Sequence, residues 1–206
     1  YLARDAVVTD VGSVKGTIAA AARTALGEKL SGFVPGHPIA GTERTGVEAS
    51  FSSLFVGRRV VLTPLPETTA EAMARVRAMW QAAGAEVVSM SVEHHDAVLA
   101  ATSHLPHLLA YALVDMLARL DDSREIFAYA AGGFRDFTRI ASSDPVMWRD
   151  ISLANRDAIV GMLKKYRVEV DGLIAAVAAG DGAKLETLFA RAKAARDALV
   201  TNDQKQ

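Results

Sequence analysis

The chain of 206 residues contains no cysteine. Disulfide frameworks, iron–sulfur clusters and thiolate-ligated zinc are therefore excluded. Charge of one sign is also missing: 23 Lys and Arg stand against 24 Asp and Glu, a formal net charge of −1. That balance argues against a dedicated nucleic-acid binder, whose footprint is basic. No run reaches roughly 18 uncharged apolar residues, so no membrane span is expected. No charged-then-apolar leader opens the chain. Apolar residues are plentiful: half of the chain is hydrophobic and 23% is charged. This composition supplies a core and rules out intrinsic disorder. A soluble, cytoplasmic protein of one large or two small domains is expected. The chain opens at Tyr1 and runs almost at once into Ala6-Val7-Val8-Thr9-Asp10, a buried-strand pattern with no preceding element. Residues upstream of Tyr1 are expected.

The first ninety or so residues alternate strand-like and helix-like segments. Ala6 to Val11, Gly32 to Ile39, Arg59 to Thr63 and Glu86 to Met90 read as strands. Val14 to Leu30 is rich in helix formers. Thr68 followed by Glu71 reads as a capping box opening a helix with Met73, Val76, Met79 and Trp80 on one stripe, ending near Gly84. Strands alternating with helices predict a parallel sheet flanked by helices. After about Val92 no strand signal remains. Leu105 to Leu120 has helical spacing, Asp144-Pro145 is a strong helix start, and Gly180-Asp181-Gly182 marks a turn before a last helix. The expectation is the back part of an α/β domain over residues 1–92, joined to an all-helical domain over 93–206. The apolar helical half, residues 105–199, predicts a homodimer.

Five histidines are present, four of them between His94 and His107. His104 and His107 share a helix face, but no carboxylate sits at a matching offset and no H-E-x-x-H occurs, so no metal site is expected. Gly12 and Ser13 fall at a strand's carboxyl end, where ligands bind in open α/β sheets. The plainer reading makes Ser13 an N-cap and Gly12 a turn. His37, held extended by Pro38, is a candidate general base, or else a surface histidine. Glu43 follows in a glycine-flanked loop, suited to tuning a site. Pro106 bends or starts a helix beside Ser103 and His107. Gly132 and Gly133 lead a loop in which Asp136 is placed to hold Arg139, a guanidinium suited to gripping a carboxylate or to a plain salt bridge between domains. Together these residues put a base, a hydroxyl and an arginine at a domain junction, a favoured place for ligands.

Five blocks in order carry a resemblance: Asp10-Val11-Gly12-Ser13-Val14-Lys15, Gly36 to Glu43, Ser103-His104-Leu105-Pro106-His107, Gly133 to Ala141, and Ser143 to Asp150. They resemble the prephenate/arogenate dehydrogenase family of tyrosine biosynthesis and cover most of residues 5–160. The resemblance implies a Rossmann-type nucleotide-binding domain, a helical dimerisation domain, and oxidative decarboxylation of prephenate, or of arogenate, with hydride transfer to NAD or NADP. It implies His37 as the catalytic histidine and Ser13 as the hydroxyl that bonds it and the substrate. Arg139 and His107 would bind substrate, and Ser103 would lie near the nicotinamide or substrate. Gly12 and Ser13 would border the cofactor. Glu43 and Asp136 would position the others or gate the site, and Trp148 would stand near the pocket, from this subunit or its partner. The family's G-x-G-x-x-G fingerprint does not occur between Tyr1 and Gln206. As it stands the chain then reads either as an enzyme whose fingerprint lies upstream, or as an inactive dimerisation and substrate-binding piece. A Ser13–His37–Asp10 hydrolase is a weaker reading, because Ser13 lacks a G-x-S-x-G elbow.

Overall fold

A computed structural model describes residues 2–3, 5–41 and 46–203, the side chains of 201–203 excepted. Glu43, a candidate site residue, lies outside the described residues. By contacts the chain forms two compact units, residues 1–160 and 161–206. Residue 92, where the sequence pattern changes, lies inside the first.

Strand β1 (Val8–Thr9) pairs in parallel with β2 (Phe33–Val34). A second sheet has the order β3 (Gly36–Pro38), β4 (Arg59–Leu62), β5 (Glu86–Ser89). β4 and β5 run parallel around the crossover helix α2 (Ala70–Ala82), as the alternation predicts. β3 departs from the expected parallel arrangement and pairs antiparallel with β4, His37 opposite Val61. The reason lies in the connection: among the described residues no α-helix intervenes between β3 and β4, and a parallel pair needs a crossover. The single strand expected over Gly32 to Ile39 divides at Pro35, so that one extended segment serves both sheets.

Helix α1 spans Gly16–Leu26 and stops at Gly27, whose φ of 51° suits glycine; a 3₁₀ turn replaces the expected last helical turn. The N-cap of α2 is Thr69, which accepts from Ala72, and not Thr68. Thr68 accepts from Leu65 and donates to the Phe33 carbonyl, joining the helix approach to β2. The buried stripe of α2 is Ala72, Val76 and Trp80, packed on Val34, Val60 and Leu62; Met79 points away from it at 47% exposure.

Helix α3 (Val92–Leu99) passes through a π turn at Ala100–His104 into α4 (Leu105–Ala118). The π turn absorbs Pro106, whose missing N–H would otherwise orphan a carbonyl. By length and composition this run, Val92–Ala118, is apolar enough to cross a membrane, with a mean hydropathy of 1.4 in its richest window. The expectation that no stretch qualifies therefore needs correction; in this chain the run carries Asp96 and two buried histidines. Gly132 begins a short helix, α6 (Gly132–Thr138), where a loop was expected, preceded by α5 (Ser123–Ala128). Asp144 caps α7 (Pro145–Ala154), accepting from Met147 at 2.8 Å. Helix α8 (Arg156–Ala178) begins in the first unit and runs into the second. There Gly180, at φ 63°, turns the chain into α9 (Gly182–Asp203). The second unit leaves Val168, Ile174, Val177 and Leu199 about 60% exposed.

Candidate active site

Asp10 follows β1 and organises the sheet edge. One carboxylate oxygen accepts the Gly12 N–H at 2.9 Å, and the other accepts the Gly36 N–H at 3.0 Å. The Lys15 ammonium, fully buried, pairs with Asp10 and donates to the Gly36 carbonyl. These bonds pin the start of β3, and so the backbone of His37, against the end of β1. Burial lowers the Lys15 pKa, against the opposing pull of Asp10 and Asp96.

The N-terminus of α1 has no local side-chain cap, so Ser13 is not its N-cap. Asp96 on α3 takes that place, accepting the N–H groups of Lys15 at 2.9 Å and Gly16 at 2.8 Å. A carboxylate there complements the orphan amides and the helix dipole. Burial alone would raise the Asp96 pKa, but bonds from His95 and from the two amides hold it below the usual carboxylate range.

His37 on β3 is 9% exposed. Its Nδ1 lies 2.8 Å from His95 Nε2, and His95 Nδ1 lies 2.8 Å from Asp96 Oδ1. Burial, reinforced by His95, Lys15 and His104, pushes the His37 pKa down to about 3. A neutral imidazole retains one bare nitrogen as an acceptor. His104 is also buried, which lowers its pKa to about 4. Asn155 donates to His104 Nδ1 at 3.1 Å and to the Asp96 carbonyl at 2.8 Å, tying α7 to the π turn.

A cleft of about 600 Å³ opens over this network, wholly within the first unit. His37, Ser103, His107, Arg139 and Trp148 line it together with Arg58. His107 stacks on the Trp148 indole, with ring centroids 3.8 Å apart and planes at 19°. Its Nδ1–H donates to the Ser103 carbonyl at 2.9 Å, and burial lowers its pKa. The Trp148 Nε1–H is buried without an acceptor among the described residues, a state that costs about 1–3 kcal/mol unless a ligand satisfies it. Tyr111 donates to the Ser143 carbonyl at 2.6 Å and steadies the approach to α7.

The structure thus brings five of the candidate residues to one cleft. Gly12 and Ser13 stay at the β1 edge, outside the residues that line it. Asp136 is exposed on α6, also outside the cleft. The hydrolase reading fails on contacts: Asp10 is engaged by Gly12, Gly36 and Lys15, and His37 turns to His95. No group of three or more His, Asp or Glu among the described residues forms a metal site. Lys15, His95, Asp96, His104 and Asn155 also belong to the site, and no motif in the sequence assigns them a role there. The adjacent His95-Asp96 pair just inside a Ser91-capped helix was the available signal.

Two family models match the chain. "Prephenate dehydrogenase, nucleotide-binding domain" matches residues 1–89, and "Prephenate dehydrogenase, dimerization domain" matches 91–191. A cyclohexadienyl dehydrogenase of Zymomonas mobilis is 40% identical over 203 residues, 98% of this chain and 69% of that protein. The crystal structure of prephenate dehydrogenase from A. aeolicus with hydroxyphenyl propionate and NAD+ superposes with a TM-score of 0.87 at 41% identity, covering 95% of this chain and 68% of that one. An arogenate dehydrogenase of Synechocystis gives a TM-score of 0.80 at 32% identity, covering 93% and 69%.

Proposed function

The chain belongs to the prephenate dehydrogenase family of nicotinamide-dependent oxidoreductases, and from that premise we propose that its cleft binds prephenate and converts it to 4-hydroxyphenylpyruvate. The observation that carries this reading is the convergence of a buried, neutral imidazole, His37, and a guanidinium, Arg139, on one cleft of about 600 Å³. Prephenate has a ring hydroxyl, a ring carboxylate and a pyruvyl carboxylate. The relatives named for prephenate and for arogenate are 41% and 32% identical, which favours prephenate.

When bound, NAD or NADP supplies the acceptor for the hydride that leaves the hydroxyl-bearing carbon. His37 takes the hydroxyl proton as the C–O bond gains carbonyl character. The electron pair of the ring–carboxylate bond then enters the ring, carbon dioxide departs, and the oxygen recovers its proton as a phenol. One hydride and one carbon dioxide leave, and the proton borrowed by His37 returns. Arg139 engages a substrate carboxylate through paired N–H donors. The Trp148 N–H, unpaired among the described residues, is a donor for a substrate oxygen. His107, stacked on Trp148, shapes the same wall.

The residues present fit the nicotinamide end of such a cofactor. The Ser13 and Ser103 hydroxyls are part-buried and hydrogen-bond to no described residue, so both are open to a ligand. Gly12 keeps the β1 edge low, since a Cβ there would meet Ile18 at 2.4 Å. A glycine cradle for the pyrophosphate is not found within residues 1–206. NAD is favoured over NADP by the A. aeolicus relative, whose structure holds NAD+. The family's dimerization-domain match and the exposed apolar side chains of α8 and α9 support a homodimer through the helical part.

The test is hydride transfer followed by nicotinamide absorbance in the full-length protein, with prephenate and arogenate each offered with NAD+ and NADP+. His37→Asn should lower kcat by about 10²–10⁴-fold with substrate affinity retained. Unchanged turnover in that variant removes His37 from the chemistry, and no turnover of either substrate by the parent protein overturns the reading.

A further inference from the structure

Resting on the reading of His37 as the acceptor for the substrate hydroxyl, we propose that His95 and Asp96 are positioning residues that set the tautomer of His37 and leave its Nε2 bare. Asp96 receives two backbone N–H groups at the start of α1. Its carboxylate is held ionised, and an ionised carboxylate only accepts. His95 Nδ1, 2.8 Å from Asp96 Oδ1, therefore carries hydrogen. As the Nδ1–H tautomer, His95 has its other nitrogen, Nε2, bare, and that nitrogen lies 2.8 Å from His37 Nδ1. Two bare nitrogens repel at that distance, so His37 Nδ1 carries hydrogen. A neutral ring holds one such hydrogen, and His37 Nε2 is left as a lone-pair acceptor.

The opposite tautomer would present an N–H to the substrate hydroxyl and could not take its proton. His95 is fully buried and does not line the cleft, so it acts on substrate only through His37. Among the described residues the titratable groups that face His37 are His95, His104, Lys15 and Asp96, from α3, the π turn and the start of α1. When His37 becomes an imidazolium during turnover, the same two bonds lead its charge toward Asp96. Asp96 also caps α1, so its replacement would confound stability with positioning. His95 separates the two, because changing it leaves the Lys15 and Gly16 bonds to Asp96 in place.

The experiment uses His95→Leu and His95→Gln in the full-length protein. Leu removes both bonds, whereas Gln offers a carbonyl oxygen to His37 Nδ1–H and an N–H to Asp96. His95→Leu should lose about 10²-fold in kcat, the low end of what a positioned base contributes, with KM changed less than about threefold and the pH profile of kcat displaced. His95→Gln should restore most of the rate. Nitrogen NMR of ¹⁵N-histidine-labelled protein reads the tautomer without turnover: His37 should show a protonated Nδ1 and a bare Nε2 in the parent and in His95→Gln. A protonated Nε2 in the parent at neutral pH overturns the proposal even if His95→Leu fails to fold. So does a His95→Leu protein that keeps both the tautomer and kcat. Either result leaves His37 itself standing, whereas full activity in His37→Asn would remove the reading on which the proposal rests.

Discussion

Acidification from pH 7 to pH 5 should strip stability from the first unit. Burial, followed by the neighbouring His95, Lys15 and His104, holds the His37 pKa at about 3, and burial holds His104 at about 4. An unfolded imidazole titrates near ~6.5. Both folded values lie below the unfolded one, so between them the unfolded chain binds more protons. Stability is then fully present above the unfolded pKa and falls as pH drops toward the folded values. At pH 5 both rings remain neutral in the fold, while an unfolded ring is almost fully charged. Relative to pH 7 each ring costs about 2 kcal/mol. The pair costs about 4 kcal/mol, a large share of the 5–15 kcal/mol typical of a domain. His107, also depressed by burial, acts in the same direction. Urea unfolding followed by tryptophan fluorescence is the assay, since Trp80 and Trp148 both belong to the first unit. With a slope near ~2 kcal/mol/M the midpoint should fall by about 2 M between pH 7 and pH 5. His104→Gln should remove about half of that difference, as roughly 2 of the 4 kcal/mol belong to its ring. Equal midpoints at the two pH values, or a His104→Gln protein with the full difference, would show that these rings are not held neutral by the fold.

Three further outcomes follow from the same contacts. Lys15→Met strands the Asp10 carboxylate and the Gly36 carbonyl beside a buried apolar chain; it should cost about 3 kcal/mol, or roughly 6–12 °C in Tm. Asp10→Asn combined with Lys15→Met should recover part of that loss, and a double variant no more stable than the single one contradicts the pairing argument. Arg139→Ala should raise KM for the dicarboxylate while kcat changes little, and steady-state kinetics with an unmoved KM would remove the carboxylate contact. Gly32→Ala puts a Cβ 2.8 Å from the Ala6 carbonyl oxygen, forcing β1 from β2; a loss of about 1–3 kcal/mol in thermal melts is expected, and an unchanged Tm would show that the strands yield freely.

Local signals made much of the fold legible. Periodicity marked α2 and α4, Asp144-Pro145 marked the start of α7, and Gly180 marked the break between α8 and α9, because caps and turns are decided by a few neighbouring residues. The antiparallel β3 was not legible. Strand direction depends on where a connection leads, and residues 39–58 carry no periodic signal of that. The π turn was missed for a related reason: Pro106 announced a disturbance, but whether a helix stops or swells around it depends on what packs alongside.

For the site, the reacting residue types could be read along the chain. A histidine held extended before Pro38, an arginine after a double glycine, and a histidine four residues beyond Ser103 were readable, and their order carried the family resemblance. How they work together follows from contacts made only in the fold. It supplied Asp96 from α3 to the amides of α1, 80 and 81 residues away in sequence, and His95 to His37 across 58 residues. It also buried Lys15 where a surface lysine would have been the default reading. A side chain's protonation state follows from its burial and its partners, and those are set by the folded surroundings rather than by its neighbours along the chain.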